Sequence, residues 1–266
     1  MVLESLLNPK KAEAKPSHVF FIAILYTVVA IFFARAMFPS QSSMLTVMLI
    51  TLIFVPFFQK LFNIEESKEC LAAENRLSGN LFQRHSQIIL VFSAFFLGII
   101  VAMSFIFFFL PMEDVFQLQS DTLKAFSGRA TGGGDFMLYL TNNTQVMILI
   151  FVLSAIMGAG AIFILTWNAS VIAVYLGLIV QSLSGKLGAA AYLFGVPIGL
   201  GSIALHGIPE IAAYFIAGVA GGILSVGLIR ERFMSKEFKL VFKDSLIFLF
   251  FAESLIIGAA FIESLL

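Results

Sequence analysis

The chain has 266 residues, of which 60% are hydrophobic and only 12% are charged, and its 16 basic residues balance its 16 acidic ones. Soluble domains carry roughly 25% charged residues, so this chain lacks the polar surface that a water-soluble fold of its size exposes. The balanced charge excludes a general attraction to nucleic acid. The composition therefore predicts an all-α, polytopic helical membrane bundle, in which every backbone polar group is satisfied within the chain.

Apolar stretches of the length that crosses a bilayer, about 20 helical residues, recur along the chain. We predict a single membrane domain covering residues 1–266. Its seven spans are expected at residues 19–38, 44–62, 86–110, 145–167, 187–205, 208–229 and 245–265. A lysine-bearing polar segment precedes the first span, and no small-residue cleavage site follows it, so we expect this span to be retained.

The segment 168–205 is the least regular part of this pattern. Ser184, Gly185 and Lys186 interrupt it, and several glycines and Pro197 follow. We expect a broken or re-entrant segment here, with a half-helix at about 170–183 before the next span. Non-helical backbone at that depth requires cover by protein or water.

Three segments lie outside the predicted spans. Residues 63–85 are predicted to form a cytoplasmic helix that Asn63 caps and Gly79 ends. Residues 111–144 form an acidic outer loop with a glycine run at 132–134. Residues 230–244 form a basic interfacial segment, for which an amphipathic helix on anionic lipid and a plain basic loop are equal alternatives.

The distribution of Lys and Arg indicates how the chain is oriented. With a cytoplasmic N-terminus, 13 of the 16 basic residues lie on the cytoplasmic side, Lys186 among them, and Arg35, Lys124 and Arg129 lie outside. Cytoplasmic segments carry an excess of these residues. We therefore predict a multi-pass protein of the cell membrane with its N-terminus in the cytoplasm and its C-terminus outside.

Polar side chains within spans are costly and mark functional or structural sites. Glu253 lies near the centre of the last span, where it could be an ion or proton site or a protonated or paired structural group. His206 and Glu210 flank Pro209, which predicts a helix start with Glu210 in its first turn. The candidate polar cluster comprises Asn142, Asn143, Asn168, His206, Glu210 and Glu253.

The asparagines of this set lie at the two ends of the predicted fourth span. Asn142 and Asn143 stand at its entry, and Asn168 stands at its exit. Asn143 could alternatively cap that helix, since asparagine is favoured at the N-cap.

Small residues at helical spacing predict close helix packing. Gly218 and Gly222 form a GxxxG pair, Gly221 lies in a parallel small-residue row, and Ser154 and Gly158 form another. Helices four and six are expected to approach their neighbours closely. The neighbours could belong to the same chain or to a second copy.

Motifs of nucleotide binding, serine hydrolysis, zinc proteolysis and haem attachment are absent from the sequence. A single cysteine cannot form an internal disulfide, and the three histidines lack metal-ligand spacing. We therefore expect no cofactor, no metal site and no enzymatic activity.

The second half of the chain resembles the stage II sporulation protein M family of membrane proteins. The resemblance covers about residues 140–228 and includes the paired asparagines and Asn168. Its most specific part is His206-Gly207-x-x-Glu210 leading into a small-residue helix. Ala169 stands where the family usually has glycine. The resemblance implies a scaffold-like role, because the family's sporulation member works with cell-wall-degrading partners.

The resemblance implies a non-enzymatic scaffold or membrane-remodelling component, in which the polar cluster pins helices four to six. The main alternative is a transporter or channel for an ion, proton or small solute that uses Glu210, His206 and Glu253. An intramembrane enzyme or a lipid-handling protein is a third class. Expected partners are membrane lipid and either a second copy or other proteins of a membrane complex, without nucleic acid.

Overall fold

The computed structural model describes residues 8–73, 80–110, 112–127, 135–232 and 235–265. These residues form α-helices joined by short turns, and no β-strand occurs among them. In chain order the helices are α1 (Pro9–Ala14), α2 (Pro16–Met37), α3 (Ser42–Ala73), α4 (Leu81–Phe109), α5 (Gln117–Ser127), α6 (Phe136–Met157), α7 (Ala161–Leu187), α8 (Ala190–Arg230) and α9 (Lys236–Leu265).

Seven helices in the described part of the chain are long and apolar enough to cross a membrane. They are α2, α3, α4, α6, α7, α8 and α9, whereas α1 and α5 are too short. The predicted all-α class with about seven spanning helices is confirmed.

The boundaries in the middle of the chain differ from the predicted ones. Residues 145–167 are divided between two helices, because Gly158 takes a φ of 75° and ends α6. A positive φ at the end of a helix favours glycine. The side chain of Ser154 accepts a hydrogen bond of 2.9 Å from the N–H of Ala161 and so begins α7. The predicted half-helix at 170–183 is part of this 27-residue helix.

The predicted spans 187–205 and 208–229 form one continuous helix, α8, of 41 residues. Pro197 and Pro209 both lie inside it, so Pro209 does not begin a helix and Glu210 is not in a first turn. Each proline removes one backbone hydrogen bond, but neighbouring helices and local adjustments can compensate for this in a membrane helix. Gly188, with a φ of 55°, forms the turn before α8.

The turn at Gly188 also changes the position of Lys186. Since α7 crosses the bundle completely, Lys186 lies at the end of the bundle opposite to α1. The predicted placement on the same side as the N-terminal lysines is therefore corrected. The other basic residues assigned to the N-terminal side keep their excess among the described residues.

Two of the predicted connecting segments are largely helical. Asn63 lies inside α3, which continues to Ala73, and a capping box at Asn80 starts α4. The predicted stop at Gly79 lies outside the described residues. Since α9 begins at Lys236, most of the basic segment 230–244 is its first turns.

The predicted outer loop 111–144 contains α5 and the first turns of α6. Asp135 caps α6 by accepting hydrogen bonds from the N–H groups of Met137 and Leu138, at 3.0 and 3.4 Å. The helix therefore starts before Asn143, which is not its N-cap. The glycine run 132–134 lies outside the described residues.

The second half of α8 is the centre of the bundle, since every residue from 213 to 227 is buried. Ser154 of α6 packs against Gly221, and Ala161 of α7 packs against Gly218. On the other side, Ser245 of α9 donates a hydrogen bond of 3.1 Å to the carbonyl of Ala220. Because Asn143 of α6 also contacts Glu210, α6 runs parallel to α8. Val180 of α7 lies against Gly195 and Val241 of α9 lies against Gly227, so these two helices run antiparallel to α8.

The first half of α8 extends past two of these neighbours. Asn143 of α6 contacts Glu210 of α8, and Ser154 contacts Gly221, so paired residues differ by 67 in number. Phe136, the first residue of α6, is therefore level with about residue 203 of α8. The preceding part of α8 continues for about 20 Å at 1.5 Å per residue. Here it packs on α7, through Gly195 and Gly199. We call this antiparallel pair, residues 176–202, the extended hairpin.

Candidate functional site

Asn143 and Glu210 meet at the contact between α6 and α8. The side-chain amide of Asn143 donates a hydrogen bond of 3.2 Å to Glu210 Oε2. The hydroxyl of Tyr214, one turn further along α8, donates a hydrogen bond of 2.7 Å to Glu210 Oε1. Both carboxylate oxygens of Glu210 therefore accept a hydrogen bond from a neutral donor.

Asn142 extends this group toward the surface of the bundle. Its amide donates a hydrogen bond of 3.1 Å to Oδ1 of Asn143. Because this bond occupies the oxygen of Asn143, the amide nitrogen of Asn143 is directed to Glu210. Asn142 is exposed and Asn143 is buried, so the chain of bonds runs from the surface inward.

Glu253 is held from the next residue of α6. The hydroxyl of Thr144 lies 2.9 Å from Glu253 Oε1 and 3.2 Å from Oε2, and it donates to this carboxyl group of α9. Consecutive residues of a helix point in directions about 100° apart. Asn143 and Thr144 therefore connect α6 with two different helices, α8 and α9.

Two of the predicted cluster residues make no hydrogen bond to the others. The side-chain amide of Asn168 donates a hydrogen bond of 2.8 Å to the carbonyl of Ile164, within α7. Nδ1 of the half-buried His206 is enclosed and has no hydrogen-bond partner among the described residues. The residues that hydrogen bonds do connect form the polar cluster: Asn142, Asn143, Thr144, Glu210, Tyr214 and Glu253.

Thr144 and Tyr214 were not among the predicted site residues. Tyr214 is four residues after Glu210, a spacing that places two side chains on the same face of a helix. That spacing was a usable signal once α8 was known to be continuous. Thr144 had no such signal, because its partner Glu253 is 109 residues away.

The chemistry of the cluster is that of carboxyl groups solvated by neutral donors. A polar group removed from water is costly unless hydrogen bonds replace those of water. The described residues contain no group of three or more His, Cys, Asp and Glu side chains that could hold a metal ion. The bonds connect three helices at one level of the bundle.

Three of the four predicted packing glycines lie at close helix contacts. A Cβ on Gly218 would lie 3.0 Å from Cβ of Ala161, and one on Gly221 would lie 2.7 Å from Cβ of Ser154. Gly222 lies against the ring of Phe62. A Cβ on Gly158 would be in ordinary contact with Gln59, at 3.7 Å, and this glycine serves the turn after α6 instead, because of its positive φ.

A second polar group lies at the N-terminal side of the bundle. Lys68 forms ion pairs with Glu13 at 2.9 Å and with Glu65 at 2.6 Å. The fully buried Glu65 also contacts the fully buried His85. These residues connect α1, α3 and α4. The sequence reading did not single them out, because it placed Glu65 and His85 together in a separate cytoplasmic helix.

A nearby ion pair joins α4 to a further helix, α9. Arg84 of α4 contacts Asp244 of α9 at 2.8 Å, and each side chain is 11% exposed. Arg230, at the end of α8, lies 3.6 Å from Glu66. The bundle is therefore held by polar contacts both here and at the polar cluster.

Comparison with known proteins identifies one family. The model of the family described as stage II sporulation protein M matches residues 88–266. The match extends beyond the predicted region of 140–228 on both sides, and includes α6, α7, α8 and α9 entirely. No curated protein and no solved structure matches the chain. Because the match covers most of the sequence, this multi-pass membrane protein belongs to the stage II sporulation protein M family.

Proposed function

We propose that this protein is a non-enzymatic membrane scaffold or membrane-remodelling component. In this role the polar cluster holds α6, α8 and α9 in a fixed arrangement, and partner proteins bind the extended hairpin. The observation that carries the proposal is the pair of connections from adjacent residues of α6, Asn143 to Glu210 and Thr144 to Glu253. A scaffold requires such rigidity and needs no path through the bundle.

The extended hairpin supports the part of the proposal that concerns partners. α8 alone is about 61 Å long at 1.5 Å per residue, about twice the hydrocarbon thickness of a bilayer. Its first half carries large apolar side chains, and Leu193, Phe194 and Ile198 are 75%, 56% and 53% exposed. Other helices of the bundle do not cover these side chains, so they are available for contact with another protein.

The extended hairpin is also anchored on one side, which suits a binding surface. Tyr192 stacks on Phe109 at the end of α4, with ring centroids 5.3 Å apart. Gly195 and Gly199 bring α8 close to α7. The apolar side chains opposite these contacts are therefore presented on a supported helix.

Site-specific photo-crosslinking in native membranes tests this proposal. A photoreactive amino acid at Phe194 should yield a protein adduct of discrete mass. The matched control is Leu25 of α2, which is 52% exposed and should yield lipid adducts alone. Lipid adducts alone at both positions would contradict the binding of partners at the extended hairpin.

The alternative of an ion or proton transporter rests on one observation. The hydrogen bonds of Glu210 and Glu253 within the described residues come from uncharged side chains, and intramembrane carboxyl groups of this kind can serve in proton relays. Flux measurements in proteoliposomes distinguish the two functions. The scaffold predicts no flux of protons or monovalent cations above that of empty liposomes.

The variants Glu210→Gln and Glu253→Gln sharpen that experiment. Glutamine keeps the shape of glutamate and one acceptor oxygen, so the scaffold predicts a folded protein with a modestly lowered unfolding midpoint. A flux that is present in the natural protein and lost in both variants would contradict the scaffold proposal and support a transporter. The variant Glu237→Gln, outside the polar cluster on α9, is the control.

A further inference from the structure

A groove of about 390 Å³ lies between α3 and the turn that joins α6 to α7. Its walls include Met48, Leu52 and Val55 of α3, together with Leu153, Met157 and Phe163 of α6 and α7. The volume falls within the range of roughly 300–1,000 Å³ that is typical of small-molecule sites. The groove does not involve the polar cluster or the extended hairpin.

The groove is apolar along its length and polar at one end. Thr51 lies in its wall. The hydroxyl of Thr51 donates a hydrogen bond of 2.8 Å to the carbonyl of Val47, within α3, so its proton does not point to a ligand. Gln59 lies at the end nearer the N-terminal side, beside Gly158. A long apolar site with a single polar end fits a ligand with an apolar chain and a polar head.

The position of the groove on the candidate spans indicates that this ligand is a lipid. Apart from Ala159 and Gly160 in the turn between α6 and α7, its lining residues belong to helices that are candidate membrane spans. From Met48 to Lys60 the helix rises about 18 Å at 1.5 Å per residue, slightly more than half of a hydrocarbon core of roughly 30 Å. This is the depth that one acyl chain of a lipid in one leaflet occupies.

Charge at the polar end indicates the kind of headgroup. Lys60 follows Gln59 directly, its side chain is exposed, and it has no ion pair in the described part of the chain. Lys60 lies toward the end of the candidate span Pro39–Lys68, and an exposed lysine near the end of a span attracts anionic headgroups. We propose that the groove is a binding site for one acyl chain of an anionic phospholipid whose headgroup lies at Lys60.

The single tryptophan offers a direct measurement. Trp167 lies one turn beyond Phe163 on α7, and residues four apart share a face of a helix. Phosphatidylglycerol with a brominated acyl chain, which quenches nearby tryptophan, is titrated into phosphatidylcholine bilayers that contain the full chain. The quenching curve is compared with that of brominated phosphatidylcholine.

We expect brominated phosphatidylglycerol to quench Trp167 at mole fractions about five-fold lower than brominated phosphatidylcholine does, the factor that one surface lysine supplies. The variant Lys60→Gln should make the two curves coincide. Lys15→Gln, at an exposed lysine near the start of α2, should leave them separate. Coinciding curves in the natural protein would overturn the proposal.

Filling the groove tests the acyl-chain part separately. Val55→Phe and Leu52→Phe place a ring in the groove, and Leu52 is 68% exposed, so its variant is not expected to disturb folding. Either variant should abolish the preference for phosphatidylglycerol. Leu97→Phe on α4, at a 52% exposed position outside the groove wall, should keep it. Unchanged preference in both groove variants would show that only annular lipid is present.

Discussion

The hydroxyl of Tyr214 is the donor that completes the hydrogen bonds of Glu210. Glu210 lies among helices of an apolar bundle, where water does not freely replace a lost protein donor. Its two oxygens have one donor each, Tyr214 at 2.7 Å and Asn143 at 3.2 Å. The shorter bond comes from the same helix, and the longer one connects two helices.

Replacing Tyr214 by phenylalanine removes the donor and keeps the ring. We expect the free energy of unfolding to fall by about 1 kcal/mol, because Glu210 loses one hydrogen bond at a partly buried position. Reversible unfolding in mixed micelles measures the change. Tyr175→Phe is the control, since the hydroxyl of Tyr175 contacts Ser202 at an exposed position. Equal effects of the two substitutions would contradict the argument.

Gly221 lies at a close contact between α8 and α6. A Cβ at this position would meet the backbone carbonyl of Phe151 and Cβ of Ser154, and the backbone cannot move aside as a flexible side chain could. Gly221→Leu should therefore lower the free energy of unfolding by about 1–3 kcal/mol. Thermal unfolding in detergent measures it.

The control for that substitution is Gly258→Leu on α9. Nothing lies within 4 Å of a Cβ placed on Gly258, so a leucine there extends into open space. A protein with Gly221→Leu that is as stable as one with Gly258→Leu would show that α6 and α8 do not pack as described.

At the scale of elements, α5 is a short helix attached to the bundle by one polar side chain. The amide nitrogen of Gln119 donates a hydrogen bond of 3.1 Å to the hydroxyl of Ser170 on α7. The amide oxygen of Gln119 accepts a hydrogen bond from the hydroxyl of Ser43 on α3. Gln119 is 1% exposed. One side chain therefore joins α5 to two spanning helices, at the start of α3 and inside α7.

Gln119→Ala should release α5 without unfolding the bundle. An 11-residue helix is marginal by itself in water, so residues 117–127 should exchange their backbone hydrogens at least about ten-fold faster, the factor that about 1.4 kcal/mol represents. Hydrogen exchange followed by mass spectrometry measures this locally. Gln117→Ala, at an exposed position of the same helix, should not change the rate.

At the scale of the whole molecule, the bundle has polar connections at two levels. One is the polar cluster, which joins α6 to α8 and α9. The other is the group of ion pairs near the N-terminal side, in which Arg84 and Asp244 join α4 to α9. On α9 the two levels are nine residues apart, from Asp244 to Glu253, or about 14 Å at 1.5 Å per residue. Polar contacts at two depths therefore fix the relative positions of the helices.

Asp244→Asn tests the importance of the second level. Both side chains of the pair are 11% exposed, between the buried and the surface case, so we expect a loss of about 2 kcal/mol in the free energy of unfolding. The exposed pair of Asp121 and Lys124, at 3.6 Å, provides the control. Asp121→Asn should change the stability by less than about 0.5 kcal/mol, and similar losses in both variants would contradict the distinction.

The class of fold and the number of spanning helices could be predicted from the sequence. Both follow from apolar length, because a helix needs about 20 apolar residues to cross a bilayer, and this is a local property. The family was recognised for the same reason, since His206, Gly207 and Glu210 stand close together in the chain. The packing roles of Gly218, Gly221 and Gly222 were also accessible from their spacing.

The tertiary structure decided where the helices end and which polar residues meet. Pro209 predicted a helix start by local rules, but in α8 the helix continues through it because its surroundings favour hydrogen-bonded backbone. Asn168 was expected in the cluster and bonds within its own helix. Thr144 reaches Glu253 across 109 residues. Such pairs depend on the relative rotation and register of helices, which packing of the whole bundle sets and local sequence does not encode.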